Sequence, residues 1–262
     1  MMNRSFKEFK LQHRSNKNQI IYNSKKTNND SEVLNLIDNF LTEKNSFIFE
    51  SVEKGKIKGR YTIFGKNPDK IWEFNNNNSF LIKNKKKIKL KQKPQILIEN
   101  IIEDFKFKIP SGLPSISSLI SGYFSYDAIR YIENIPNTCK DDLKVPDVRL
   151  LRPRTLVIHD NLKKKIFYII NVFKDEKILN YSKKYAEIKS ELTNLYTQSL
   201  TVKVNEDIFK KLSKVNVKSN TSKNKFLSMV NKAKKYIKIG DIFQVVLSQR
   251  FETKLTKKPL DI

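Results

Sequence analysis

A chain of 262 residues, 39% hydrophobic and 11% aromatic, can bury one large core or two smaller ones. Its one cysteine, Cys139, excludes an intrachain disulfide and a thiolate metal cluster, and its longest apolar runs fall far short of the roughly 20 residues of a membrane helix. The net charge of +25 raises nucleic-acid binding, yet no nucleic-acid motif accompanies it, and the abundance of Lys, Asn and Ile points to compositional drift on solvated faces.

Residues 1–30 are polar, basic and poor in apolar periodicity, which predicts a mobile basic tail or a loosely docked arm, His13 included. The tail lacks the apolar stretch of a secretory signal, so a soluble cytoplasmic protein is expected. Ser31 then caps a helix with Val33, Leu34, Ile37, Phe40 and Leu41 on one face. Strands at 45–51 and 60–65 form a hairpin across the loop 53–59, whose lysines and glycines lack the spacing of a phosphate-binding loop. Strands at 70–74 and 80–84 flank the asparagine run 75–78, and a lysine strand follows at 85–91. A helix around 95–107 follows from Ile98, Ile101, Ile102 and Phe105.

After the loop 109–118, residues 119–127 read as a strand running into a short helix capped by Asp127. Cys139 lies in a polar loop with no clear basic or histidine partner to activate it. The segment 145–173 holds two strands around a turn at Asp160-Asn161, with His159 a surface residue beside that turn. Helical spacing covers 174–197, and 214–224 is a polar linker.

A new element starts near residue 219. Thr221 or Ser222 caps a helix over 222–238 with the stripe Phe226, Met229, Val230, Ala233 and Ile237, and Gly240 stops it. Residues 242–251 alternate as a strand. Phe243, Val245, Leu247 and Phe251 make a core face, with Gln249 among them. Ile242, Gln244, Val246, Ser248 and Arg250 make a mixed face that suits a ligand cavity or a polar interface. By itself, Gln244 reads equally as a buried amide satisfying a neighbouring backbone group. The class expected is α+β: antiparallel sheets with flanking helices.

Four co-linear stretches together resemble one family, anthranilate synthase component I of the chorismate-utilising enzymes. They are "FIFESVEKGKIKGRYTIFGKNP" (47–68), "SGYFSYDAIRYIENIP" (121–136), "DDLKVPDVRLLRPRTLVIHDN" (141–161) and "SNTSKNKFLSMVNKAKKYIKIGDIFQVVLSQRF" (219–251). The resemblance implies the N-terminal part of a two-layer sandwich. Its N-terminal domain spans 31–173, a helix and linker 174–218, and the start of the chorismate-binding catalytic domain 219–262. It implies a lyase: the large subunit that converts chorismate and ammonia, supplied by a glutamine amidotransferase subunit, to anthranilate and pyruvate in tryptophan biosynthesis. Mg²⁺ is the implied cofactor, with its ligands expected beyond residue 262, so no metal ligand is assigned here and residues 1–262 alone are expected to be inactive. An apolar face exposed near 240–262 would make that end aggregation-prone.

Two sets of site residues follow from the resemblance. Gln244 stands where water-using relatives carry a lysine that activates water, and an uncharged amide can instead position ammonia. Glu50 and Ser51, with Arg60 as the nearest basic residue, would bind the feedback inhibitor L-tryptophan through its ammonium and carboxylate groups. Two rivals are aminodeoxychorismate synthase component I of the para-aminobenzoate branch and a non-catalytic basic binding module.

Overall fold

The computed structural model describes residues 2–27, 31–41, 43–50, 59–138, 140–200 and 216–254, in two compact units, Met1–Lys203 and Val204–Ile262. Cys139 and Ser51 lie outside the described residues. In chain order the first unit runs α1 (Phe6–Arg14), β1 (Gln19–Lys26), α2 (Ser31–Phe40), β2 (Phe47–Phe49), β3 (Tyr61–Asn75), β4 (Asn78–Lys83), β5 (Lys86–Leu90), α3 (Pro94–Asp104), β6 (Ser121–Phe124), β7 (Val148–Asp160), β8 (Lys165–Val172) and α4 (Tyr181–Leu200). The second holds β9 (Lys218–Ser219), α5 (Lys223–Lys238) and β10 (Phe251–Glu252).

The first unit is α+β, as the pattern predicts: an antiparallel sheet with helices against it. Its two long strands, β3 and β7, pair from Tyr61↔Asp160 to Phe74↔Val148 and change neighbours part-way along. One half of the sheet adds β2 beside β3 and β8 then β1 beside β7. The other adds β4 then β5 beside β3 and β6 beside β7. Pro68 faces Pro153 between the halves, where the register shifts before Lys70. A proline cannot donate to a ladder, so it sits where the ladder breaks. The strands expected at 60–65 and 70–74 are therefore one strand with a bulge. Asn76 and Asn77, both at positive φ (46° and 60°), close the β3–β4 hairpin, a conformation asparagine tolerates better than most residues.

Residues 6–26 are not a mobile tail. The Ser5 hydroxyl accepts from Glu8 N while the Glu8 carboxylate accepts from Ser5 N, fixing the start of α1. Phe9 is fully buried against the rings of Tyr181 and Tyr185, and His13 Nδ1 lies 2.9 Å from the Tyr181 hydroxyl. β1 pairs with β8 over all eight residues, and Asn3 closes the far edge of β1 by donating to Ile20 O (3.3 Å) and accepting from Tyr22 N (2.8 Å). The physical reason is β8. Its run of apolar residues is buried on both faces and needs a strand on its outer side.

Those two faces carry separate cores. Ile21, Phe64, Val157, Tyr168 and Ile170 pack beneath α1, α2 and α4. Ile20, Leu156, Ile158, Phe167 and Ile169 pack beneath the loop that supplies Phe107, Ile109, Leu113 and Ile116. In the other half-sheet, Trp72, Phe74, Val148 and Leu150 lie under Leu97 and Ile101 of α3 and under Tyr131. Each such side chain contributes about 1.5–3 kcal/mol by leaving water. His159 is 2% exposed and shares the helix-covered side of β7 with Val157, so it is a buried strand residue rather than a surface residue at the turn. Asp127 does not cap its turn either: Ser125 holds that position in the short helical turn Tyr126–Tyr131, and Asp127 pairs with Arg130.

In the second unit α5 begins as expected, with Ser222 Oγ accepting from Lys225 N at 3.3 Å, and ends at Gly240 with φ +84°. The strand expected over 242–251 does not form; only β10 pairs, with β9. Residues 242–250 are irregular, with Phe243 fully exposed. An alternating segment becomes a strand only when a neighbouring strand takes its N–H and C=O groups, and among the described residues no strand pairs with 242–250.

Candidate functional site

The hairpin that carries Glu50 and Arg60 is built tightly at its base. Gly65 of β3 lies under the Phe47 ring of β2, where a Cβ would come within 2.2 Å of ring carbons. The pairing ends at Phe49↔Ile63, so one further step sets Glu50 opposite Thr62, two residues from Arg60. Glu50 is exposed just past β2. The two described members of the expected inhibitor site thus lie just beyond the ends of two paired strands, Glu50 after β2 and Arg60 before β3.

Arg60 is held firmly. Its Nε and Nη2 donate to the Asp160 carboxylate at 3.1 and 2.8 Å, and its guanidinium stacks 4.8 Å from the Tyr61 ring centre. Asp160, at the end of β7, also accepts from Leu162 N and Lys163 N, which closes the β7–β8 turn. Burial alone would raise the Asp160 carboxyl, but the Arg60 guanidinium and these N–H groups override it and hold it below the usual carboxylate range. Arg60 therefore keeps three N–H groups for a ligand, two on Nη1 and one on Nη2, at a side chain 30% exposed. That fixed donor suits a carboxylate better than a free, flexible cation would.

Gln244 lies in the second unit, exposed, on the irregular stretch before β10. The chain is tied down on both sides of it, first by Asp241 N donating to Tyr236 O (3.0 Å). Arg250 N donates to Asn220 Oδ1 (2.9 Å), and Asn220 N donates to Arg250 O (3.0 Å).

Sequence reasoning missed the largest charged cluster of the first unit. The Arg152 guanidinium bonds Asp69 (2.8 Å) and Asp175 (2.9 Å) and lies 3.8 Å from the Phe173 ring centre, while Lys70 also reaches Asp175. Three cations in a strand of alternating apolar residues, Arg149, Arg152 and Arg154, are the signal that could have exposed it. A cleft of about 450 Å³ beside it is lined by Trp72, Leu90, Leu97 and Ile101, but its cations are already neutralised by neighbouring carboxylates. Among the described residues no three His, Cys, Asp or Glu gather closely enough to hold a metal ion, and no helix is long and apolar enough to cross a membrane.

A family model described as chorismate binding enzyme matches residues 44–262. This chain belongs to the chorismate binding enzyme family. It is 32% identical over 236 residues to anthranilate synthase component 1 of Acetivibrio thermocellus, covering 87% of this chain and 47% of that one. It is 28% identical to the protein of the same name from Cereibacter sphaeroides, covering 94% of this chain and 50% of its relative. The crystal structure of anthranilate synthase component I from Streptococcus pneumoniae matches with a TM-score of 0.63 at 25% identity, over 84% of this chain and 46% of that one. The chain thus spans about half the length of the relatives it matches. Within this chorismate binding enzyme, the described residues of the stretches 47–68, 121–136 and 141–161 supply β2, the start of β3, β6 and β7, which pair as β2 with β3 and β6 with β7.

Proposed function

We propose that the protein carrying these residues is the large subunit of anthranilate synthase. In this reading ammonia adds to the chorismate ring carbon beside the carboxylate, the ring hydroxyl leaves, and loss of pyruvate gives the aromatic product. The ammonia comes from a glutamine amidotransferase subunit, and the site of action is the cytoplasm. The observation that supports the reading is the pair of anthranilate synthase relatives matched along 87% and 94% of the chain.

Gln244 is proposed to hold ammonia through its side-chain carbonyl, which accepts an N–H but is too weak a base to deprotonate water. Mg²⁺, when bound, would neutralise the substrate carboxylate; the described residues do not gather a ligand set for it, so no step at a metal is assigned to them. Glu50, Ser51 and Arg60 are proposed to bind L-tryptophan, the carboxylate meeting its ammonium group and the Nη1 donors of Arg60 its carboxylate.

Chorismate turnover by the protein carrying residues 1–262 tests the reading. Anthranilate fluorescence should rise with ammonium ion as donor, and with glutamine once an amidotransferase subunit is added. An aminodeoxychorismate product instead would move the protein to the para-aminobenzoate branch. Gln244→Lys should divert part of the flux to water addition, seen as isochorismate-type product by chromatography; unchanged ammonia use with no such product would remove Gln244 from the site. Ser51→Phe should raise the tryptophan concentration for half-inhibition by about tenfold or more, equivalent to ~1.4 kcal/mol of lost binding. Inhibition that survives the change would place tryptophan elsewhere.

A further inference from the structure

The cations of the central strands are matched one by one: Arg60 with Asp160, Lys66 with Glu43, Lys70 with Asp175, Arg149 with Glu73, Arg152 with Asp69 and Arg154 with Glu176. The β4–β5 hairpin breaks this pattern. Of the seven lysines in 83–93, only Lys87 reaches a carboxylate, Glu73 at 2.7 Å. The other six pair with none among the described residues, and no acid occurs between Phe74 and Ile98. Lysines unpaired among the described residues also lie along α5, but there they stand on a helix with no strand edge to offer.

β5 is also an end strand, with β4 on one side and no strand on the other among the described residues. Its turn residues Asn84 and Lys85 both have positive φ (51° and 61°), the two-residue loop that makes Lys83 and Lys86 a hydrogen-bonded pair. Alternation from that pair turns the backbone groups of Ile88 and Leu90 towards β4. The N–H and C=O of Lys87 and Lys89 then face outward. The opposite edge of the sheet is closed by Asn3; this edge is left open. Ile88, between the two outward-facing residues, is 49% exposed.

We propose that the β5 edge docks an acidic, extended segment of a partner protein as an added strand. Its backbone bonds the outward N–H and C=O groups of Lys87 and Lys89, and its carboxylates meet the unpaired lysines of 83–93. Apolar residues at alternate positions lie on the side of Ile88 and Leu90. The same lysines repel a second copy of this edge, so the site selects an unlike partner. A nucleic acid would use the charge but not the ladder.

The 262-residue chain is titrated by fluorescence anisotropy with a labelled peptide of alternating Glu and Val. The same peptide interrupted by proline, and DNA and RNA strands of equal charge, are run beside it. The alternating peptide should bind best. Its affinity should fall roughly tenfold or more in a chain carrying Lys86→Glu, Lys89→Glu and Lys91→Glu. Lys89→Pro, which removes an outward N–H, should weaken it more than Lys89→Gln, which removes the same charge. Amide exchange at Lys87 and Lys89 should slow on binding while Ile88, already bonded inward, does not change. The proposal is overturned if no peptide binds, if the proline-interrupted peptide binds equally well, if exchange at Lys87 and Lys89 does not change, or if nucleic acid binds tighter.

Discussion

Replacing Arg152 with methionine should cost the folded chain about 3–5 kcal/mol, the range for removing one partner of a buried ion pair. The Arg152 side chain is 10% exposed and Asp69 13%, so water cannot replace the guanidinium. Methionine fills much of the space over Phe173 and leaves Asp69 without its cation, while Asp175 keeps only Lys70. Chemical denaturation at neutral pH measures the loss, and a change below about 1 kcal/mol would mean that the cluster contributes little.

The same cluster sets an acid limb. Burial works to raise the Asp175 carboxyl, but Lys70 and Arg152 override it and hold it at about 2. In the unfolded chain an aspartate titrates near 3.9, so folding favours the ionised form. This contribution is present above about pH 4 and is lost as pH falls towards 2. Asp175 is 35% exposed, which reduces the ideal value to about 1–2 kcal/mol. In the Arg152→Met chain the carboxyl titrates higher and the limb becomes shallower. Denaturation measured from pH 2 to 5 on both chains would show the difference, and parallel curves would count against it.

Gly122→Ala should cost about 2–4 kcal/mol, and it should do so locally. A Cβ at 122 would lie 1.9 Å from the carbonyl oxygen of Arg149, and a paired backbone cannot yield as a side chain could. β6 must leave β7, and with it go the bond from Ser125 N to Asp147 O (2.7 Å) and that from the Tyr131 hydroxyl to the Asp147 carboxylate (2.7 Å). Amides of 121–131 should exchange near the free rate while those of β1 and β8 keep their protection. Protection retained at 121–131 would show that the strand pair absorbs the methyl group.

What could be read from the residues was what neighbours in sequence decide. The apolar stripes of α2, α3 and α5, the β2–β3 hairpin and the turn at Asp160-Asn161 all signal locally. Segment 6–26 was misread because its order comes from Tyr181, Tyr185 and β8, about 140 residues or more away. β3 was split because Pro68 argues against a central strand, and only the facing Pro153 shows why it is tolerated. His159 was set at the surface because a turn signal follows it, whereas helices cover that side of β7. The alternation over 242–251 is real, but a period of two names the faces of a strand without supplying its partners. Of the site residues, Glu50 and Arg60 were legible as hairpin neighbours; the fixed pairing of Arg60 with Asp160 was not, since 100 residues separate them.

The pairing of Gln19 with Val172 also has a consequence in time. A ribosome makes these strands about 150 residues apart, and at ~5–20 residues per second β1 waits roughly 8–30 s for β8 to exist. Through that interval the β8 part of the core of Phe9, Ile20 and Ile21 is missing, and they stay in an apolar nascent segment. A strand made well before its partner is thus among the last to be seated.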